Sequence, residues 1–222
     1  MKLAAGQSPK PMNSAQTHAK VTWKPGTMIY PLPVVMVSCG NKETGFNIIT
    51  AAWTGITCTD PAMCYISLRP ERYSYGLIKE SGEFCINLTT SQLAFAVDWC
   101  GVKSGKEVDK FKMLELTPIP ALHIAAPLIA EAPVNLECRV TEIKPLGSHH
   151  MFLAEILAVH ASEKYLDPKS GAFDLARSDP ICFSHGKYYY MGDFIGNFGF
   201  SVKKKKPKKT IKRAPRRVPA KK

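Results

Sequence analysis

The sequence is 222 residues long and carries 30 Lys and Arg against 18 Asp and Glu, a formal net charge of +12. Residues 203–222 alone hold twelve of these cations and no acid, which leaves 18 cations and 18 acids in the rest of the chain. A composition of 45% hydrophobic and 22% charged residues excludes a wholly disordered protein. The basic character therefore belongs to a C-terminal tail, predicted to be disordered, and the body before it is neutral.

No apolar run approaches the roughly 18 residues that a membrane-spanning helix requires. Residues 1–20 lack the apolar stretch of a secretory signal, so we expect a cytoplasmic protein. The chain has seven cysteines, an odd number, and no pair of them has the CxxC spacing. This pattern is typical of neither a zinc site nor a disulfide framework, so we predict no metal site and reduced cysteines that are mostly buried.

The first predicted element is an irregular N-terminal arm over residues 1–25, which is polar and contains three prolines. Two β-branched and apolar runs, 33–39 and 46–52, are separated by a glycine-containing turn and predict a hairpin of two strands. A third strand is predicted over 62–68, directly after the turn-forming pair Asp60-Pro61. The body therefore begins as a β-structure.

The apolar residues then change to helical spacing over 73–81, and the following glycine lies where a helix stop is expected. A further strand is predicted over 83–88. The segment 91–99 is predicted as a second helix with Ser91 as its N-terminal cap. Residues 101–112 are polar and contain two glycines, which predicts a surface loop of the kind that sometimes clamps a ligand.

Two long strands are predicted near the end of the body, over 134–143 and 151–159, joined by a short connection. The first alternates apolar with polar residues, which is the period of a half-buried antiparallel strand. Successive strands with short connections and few helices predict an antiparallel barrel or sandwich in place of a βαβ fold. We expect one domain over 26–202, because no linker divides it.

The common cofactor and hydrolase signatures are missing from the sequence. There is no GxxxxGK[ST], no GxGxxG after a strand, no HExxH and no GxSxG, which argues against Rossmann, P-loop, zincin and α/β-hydrolase enzymes. Hydroxyl-bearing and basic residues do cluster at the predicted strand and helix ends. Ser67, Arg69, Arg72 and Ser74 fit a phosphate at a helix N-terminus, with solvated surface cations as the alternative.

Five segments in order, 47–55, 60–61, 67–74, 81–88 and 100–105, resemble the flavin reductase-like family and, within it, the flavoredoxins. The resemblance spans roughly residues 33–196. It implies a mainly β fold, an antiparallel Greek-key split β-barrel with a few short helices, which is usually a homodimer. It also implies that FMN is bound without a Rossmann fold.

The resemblance implies roles for particular residues. Those expected along the isoalloxazine ring and ribityl chain are Asn47, Thr50, Ala51, Ala52 and Trp53. Those expected at the ribityl and phosphate groups are Ser67, Leu68, Arg69, Arg72, Tyr73 and Ser74. Those expected in a loop that closes over the flavin, from the same or the partner subunit, are Lys103, Ser104, Gly105, Lys110 and Phe111. Lys103 or Lys110 would supply positive charge near the pyrimidine end of the ring.

His149 matches the family's histidine near the position where a nicotinamide or acceptor would stack, and it is the catalytic residue that we expect; His150 is the adjacent alternative. Each assignment has a structural alternative. The alternatives are core residues for Trp53 and Phe111 and a solvated charge for Lys110, and a lone histidine such as His149 is more often a turn residue than a catalytic one. Few acid-base groups are needed, since flavin N5 exchanges hydride or electrons by itself.

Three functions are therefore open. The first is an FMN-dependent oxidoreductase that moves electrons between NADH or NADPH, or a redox partner, and flavin or another acceptor. The second is an FMN electron carrier that passes electrons between protein partners without efficient NAD(P)H oxidation. The third is a nucleic-acid-binding β-barrel module, but its strands should interleave basic and aromatic residues, and those predicted here are apolar and neutral. Nucleic acid is then expected only incidentally, through the tail.

Overall fold

The structure is a computed structural model and describes residues 20–202. The predicted tail at 203–222 and most of the predicted arm lie outside the described residues, and residues 20–25 carry no regular secondary structure. In chain order the strands are β1 Leu32–Pro33, β2 Val35–Asn41, β3 Gly45–Ala51, β4 Thr54–Cys58, β5 Met63–Leu68, β6 Glu83–Leu88, β7 Pro118–Ile119, β8 Leu128–Ile129, β9 Val134–Pro145, β10 His150–Ala161, β11 Ile181–Ser184 and β12 Lys187–Tyr190.

Three α-helices accompany these strands, α1 Tyr73–Ser81, α2 Ala94–Val102 and α3 Lys110–Met113. Short 3₁₀ turns cover Ser91–Leu93, Glu163–Tyr165, Leu175–Ser178 and Phe200–Val202. Within residues 20–202 there is no helix with the length and apolar character needed to cross a membrane. The predicted mainly β class with few short helices is confirmed.

Seven strands form one antiparallel sheet in the order β3-β2-β6-β9-β10-β5-β4. Strands β3 and β4 are its two ends, yet only Ala52 and Trp53 separate them along the chain. A link of two residues spans at most about 11 Å, so the sheet must curl until its edges meet. Where they meet, the Ser67 amide donates a hydrogen bond to the Trp53 carbonyl at 2.8 Å. The sheet is therefore a barrel, and a separate sheet of β1, β11 and β12 lies beside it.

The strand β2 is buried on both faces, which explains its almost continuous apolar sequence. Val35 and Val37 pack inside the barrel, with Phe84 and Phe152. Met36 points the other way, into a second cluster that includes Val97 of α2. The helix α2 therefore covers the outside of the barrel beside β2 and β3, and it is held there by apolar packing.

The helix boundaries correct two predictions. The second helix begins as a 3₁₀ turn at Ser91, continues as α2 to Val102, and has no side-chain cap at Thr90 or Leu93, so the prediction that Ser91 caps it is wrong. The helix α3 begins inside the predicted loop 101–112, and Asp109 caps it by accepting a hydrogen bond from the Lys112 amide at 3.1 Å. The sequence pattern missed α3 because one helical turn shows no period.

All seven cysteines are free, as predicted. Cys39, Cys64, Cys85, Cys100 and Cys138 are buried, and the two others are partly exposed. The Sγ atoms of Cys64 and Cys138 lie 3.6 Å apart inside the barrel. The cysteines therefore serve mainly as small apolar core residues.

A fully buried carboxylate, Glu137, fastens a loop to the outside of the sheet. It accepts hydrogen bonds from the amides of Leu122 and His123 at 2.8 and 2.7 Å, and His160 Nε2 lies 2.6 Å from it. Burial acts to raise the pKa of the Glu137 carboxyl, but these hydrogen bonds outweigh it, so the pKa lies below its ordinary value. The group is therefore an ionised anchor for the loop.

Candidate functional site

A cleft of about 330 Å³ opens where the barrel edges meet. The ends of β3 and β5, the C-terminal end of α2, the turn between β9 and β10, and strands β11 and β12 all contribute to its walls. The lining residues are Val34, Ile49, Thr50, Ala51, Ala52, Trp53, Ser67, Leu68, Arg69, Arg72, Asp98, Gly101, Val102, His149, Phe183 and Tyr188. Most of this lining is apolar, which suits a flat aromatic ligand.

A smaller pocket of about 190 Å³ adjoins the cleft, and both share Ile49 and Arg72. Its character is different, because its lining residues are mostly polar and include three cations and one acid. The lining residues are Asn47, Ile49, Glu71, Arg72, Tyr73, Ser74, Lys103, Ser104, Gly105 and Lys110. The pocket lies at the N-terminal end of α1, whose first turn contains no acid and whose cap makes no side-chain hydrogen bond. A helix start of this kind, with cations around it, favours an anion.

Two of these cations are fixed by the C-terminal end of α2. Arg72 Nη2 donates a hydrogen bond to the Gly101 carbonyl. Lys110 Nζ, in a side chain that is 2% exposed, donates to the carbonyls of Cys100 at 2.9 Å and Ile48 at 2.7 Å. Burial lowers the pKa of the Lys110 ammonium, and the nearby charge of Arg72 acts in the same direction. Lys110 therefore ties α3 to β3 and α2 beneath the polar pocket.

Asn47 is a buried residue that lines the polar pocket. Its Nδ2 donates to Ser74 Oγ at 2.7 Å, and its side chain is buried. Among the described residues, Asn47 Oδ1 is the one buried side-chain oxygen or nitrogen that has no hydrogen-bond partner. A buried acceptor left unpaired costs about 1–3 kcal/mol, so this atom is suited to a ligand that donates a hydrogen bond.

Gly105 packs directly against Asn47. A Cβ at this position would lie 2.1 Å from Asn47 Oδ1, which is a severe overlap. We expect Gly105→Ala to lower the free energy of unfolding by about 1–3 kcal/mol, because Asn47 must shift in a packed site. Urea unfolding measures this change. Gly101→Ala is the matched control, since its Cβ would meet Thr50 at 3.5 Å, an ordinary contact, and alanine favours the helix. Equal losses in both variants would contradict the packing argument.

Aromatic and charged side chains form the outer part of the cleft. The rings of Trp53 and His149 are stacked with centroids 5.9 Å apart and an interplanar angle of 9°. His150 turns away from the cleft, and its Nδ1 lies 2.8 Å from the Tyr75 hydroxyl. Of the two histidines, His149 is therefore the one that lines the cleft.

The structure brings the predicted site residues together with one exception. Every predicted cofactor-binding residue lines the cleft or the polar pocket apart from Phe111. Phe111 is 5% exposed and packs in the core with its ring centroid 6.2 Å from that of Phe46. The prediction that it lies in the loop that closes over the flavin is wrong, because α3 turns its ring inward. Lys103 and Lys110 line the polar pocket and do not line the larger cleft.

Several cleft residues were missed by sequence reasoning. They are Val34, Asp98, Gly101, Val102, Phe183 and Tyr188. Phe183 and Tyr188 come from β11 and β12, which lie more than 30 residues after the nearest predicted site residue, His149, and carry no motif. No spacing rule connects them to the cleft, since only the packing of the small sheet beside the barrel brings them there. Within residues 20–202, no group of His, Cys, Asp and Glu is arranged to hold a metal ion.

Comparisons with known proteins agree with this architecture. The chain matches the family model of the flavin reductase like domain over residues 27–192 and belongs to that family. Flavoredoxin of Desulfovibrio vulgaris (Miyazaki F) is similar with a TM-score of 0.76 and 32% identity, covering 83% of this chain and 100% of that chain. Flavoredoxin from Methanosarcina acetivorans has a TM-score of 0.76 and 28% identity with the same coverage.

Among curated proteins, an uncharacterized protein of Archaeoglobus fulgidus is 33% identical over 141 residues, which cover 64% of this chain and 78% of that protein. The predicted family membership, the similarity to flavoredoxins and the split-barrel fold are confirmed. The chain is thus a member of a flavin reductase-like family of flavoproteins.

Proposed function

We propose that this protein binds FMN and transfers electrons through it. The observation that carries the proposal is the pairing of an apolar cleft with an adjoining basic pocket at a helix start. FMN has the matching shape, with a planar ring at one end and a phosphate at the other. The unpaired acceptor Asn47 Oδ1 belongs to a residue that lines the basic pocket, and the hydroxyl groups of a ribityl chain would supply donors for it.

The residues that line the cleft and the polar pocket fall into three groups, which would contact the ring, the ribityl chain and the phosphate of FMN. Thr50, Ala51, Ala52, Trp53, Ser67 and Leu68 would border the ring, and Asn47 with Arg69 would face the ribityl chain. Arg72, Tyr73, Ser74, Lys103, Ser104, Gly105 and Lys110 would surround the phosphate. This assignment changes one expectation, because Lys103 and Lys110 now belong to the phosphate end and not to the pyrimidine end of the ring.

When bound, FMN supplies the redox chemistry through N5, which exchanges a hydride or electrons with a partner. The protein's part is to bind, to orient and to leave one side of the cleft open. His149 lines the cleft with its ring stacked on that of Trp53. We propose it as a contact for the electron donor or acceptor.

Absorbance and anaerobic titration test the proposal. Purified protein supplied with FMN is expected to become yellow and to retain the flavin through gel filtration. A protein that stays colourless contradicts FMN binding. NADH and NADPH are then added without oxygen, and bleaching of the colour by either one within minutes supports an NAD(P)H-dependent oxidoreductase.

If dithionite bleaches the colour while neither nucleotide does, the protein acts as an electron carrier. The likeness to two flavoredoxins favours that second function. The two outcomes are therefore separated in one titration, with FMN-loaded protein as the common starting point.

We also propose that the protein is a cytoplasmic homodimer with one flavin domain over residues 26–202. Large apolar side chains are exposed near the end of the described chain, among them Phe194 at 79% and Phe198 at 107%. Each aromatic side chain offers roughly 150–250 Å² of surface, so this segment is suited to burial against a second copy. Sedimentation velocity distinguishes a dimer from a monomer.

Any binding of nucleic acid by residues 203–222 stays a prediction.

A further inference from the structure

A hydrogen-bonded pair, Asp98 of α2 and Tyr188 of β12, lines the cleft but is not among the residues assigned above to FMN. The Tyr188 hydroxyl donates to Asp98 Oδ1 at 3.0 Å, which joins residues 90 positions apart in the chain. Asp98 is exposed, whereas Tyr188 is partly buried, with its ring centroid 5.6 Å from that of Phe183. The carboxylate is therefore held at the rim of the cleft, in reach of solvent.

The other two charged residues that line the cleft, Arg69 and Arg72, have partners of their own, one observed and one proposed. Arg69 forms a salt bridge with Glu71 at 2.7 Å, and Arg72 is the cation proposed for the phosphate. Asp98 forms no salt bridge with any described residue. Its negative charge is therefore the one that an approaching molecule meets at the rim.

We propose that Asp98 selects the electron partner by charge, so that small cationic oxidants or reductants reach the cleft faster than anionic ones. This inference rests on the proposed function, because it concerns the partner of bound FMN. Tyr188 holds the carboxylate in place. Burial raises the pKa of the Tyr188 hydroxyl to about 12, and its bond to Asp98 acts in the same direction, so it stays a donor at neutral pH.

Two metal complexes of opposite charge serve as probes. The full-length FMN-loaded protein is reduced with one equivalent of dithionite and mixed anaerobically with hexaammineruthenium(III) or with ferricyanide. Each complex accepts one electron, so two of them oxidise one reduced FMN, whose protons pass to solvent. The measured quantity is the ratio of the second-order rate constants, ruthenium over ferricyanide, at an ionic strength of about 0.01 M, where screening extends over about 30 Å.

In Asp98→Asn this ratio is expected to fall at least about fivefold, because one charge acts in opposite directions on the two trivalent probes. The difference from wild type is expected to vanish near 1 M salt, where the screening length is about 3 Å. Glu163→Gln is the matched control: it removes one exposed charge outside the cleft, and its ratio should stay within about twofold of wild type.

Tyr188→Phe keeps the charge of Asp98, so its ratio of rate constants, ruthenium over ferricyanide, should stay above half of the wild-type ratio. Two results would overturn the charge mechanism and leave the proposed function standing. One is a rate-constant ratio in FMN-loaded Asp98→Asn that equals the wild-type ratio. The other is a ratio that falls as far in Tyr188→Phe as in Asp98→Asn. A wild-type protein that binds no FMN overturns both. The absorbance recorded before mixing distinguishes these cases.

Discussion

Replacing Arg72 with alanine is expected to raise the dissociation constant for FMN by about 10- to 100-fold, because a hydrogen bond to a charged group contributes roughly 1.5–3 kcal/mol. Arg72 lines both the cleft and the polar pocket, and it lies at the N-terminal cap of α1. Its guanidinium therefore meets the phosphate where the helix start and Lys110 already favour negative charge. Quenching of flavin fluorescence during titration measures the dissociation constant.

Riboflavin is the control ligand, since it has the ring and ribityl chain of FMN without the phosphate. Its affinity should change less than about threefold in Arg72→Ala. Arg72→Lys keeps the charge but loses the fork of donors, so its FMN affinity should be intermediate. An equal loss for FMN and riboflavin would mean that Arg72 supports the pocket through its bond to Gly101 and does not bind phosphate.

Replacing Glu137 with alanine is expected to lower the free energy of unfolding by about 3 kcal/mol or more. The carboxylate is fully buried, and its removal leaves the amides of Leu122 and His123 without their acceptor. Glu137→Gln keeps the shape but presents an amide donor to one of these amides, so it should also destabilise. Glu163→Gln, at an exposed position, is the control and should change stability by less than about 0.5 kcal/mol. Urea unfolding with far-ultraviolet circular dichroism provides the values.

The effect of Glu137 should depend on pH in a definite direction. Its pKa is lowered in the folded protein, so the unfolded chain binds the proton more readily. The stabilisation is therefore complete above the unfolded pKa, which is about 4.3, and is lost as the pH falls through the lower folded value. The difference between wild type and Glu137→Gln should shrink as the pH falls below about pH 4. A difference that grows on acidification would contradict this assignment.

The six longer strands β2, β3, β5, β6, β9 and β10 and the first helix were accessible from the sequence because their signals are local. The alternation in β9, the apolar run of β2 and the glycine after α1 each reflect a rule that operates within a few residues. The short strands β4, β11 and β12 and the single turn α3 were not predicted. Elements of four or five residues show too little period, and their stability comes from the sheet edge or core that they join.

The site residues on β3, β5 and α1 were likewise assigned from contiguous motifs, which the fold gathers into one groove. Phe111 was assigned wrongly because the cap at Asp109 and the turn of α3 decide which way its ring faces. No sequence motif marked Asp98 or Tyr188 as a site residue, because their hydrogen bond of 3.0 Å joins two polar residues that are far apart in the chain.

The sequence by itself determined the family, the antiparallel β class and the division of charge, because motifs, alternation and composition are properties of the chain read in order. The uneven charge, twelve excess cations in the last twenty residues and none in the body, needs no fold to be seen. Only the tertiary structure decided the shape of the groove, the burial of Lys110 and the negative rim at Asp98. These depend on contacts between residues far apart in the chain, which the curling of the sheet and the packing of α2 bring together.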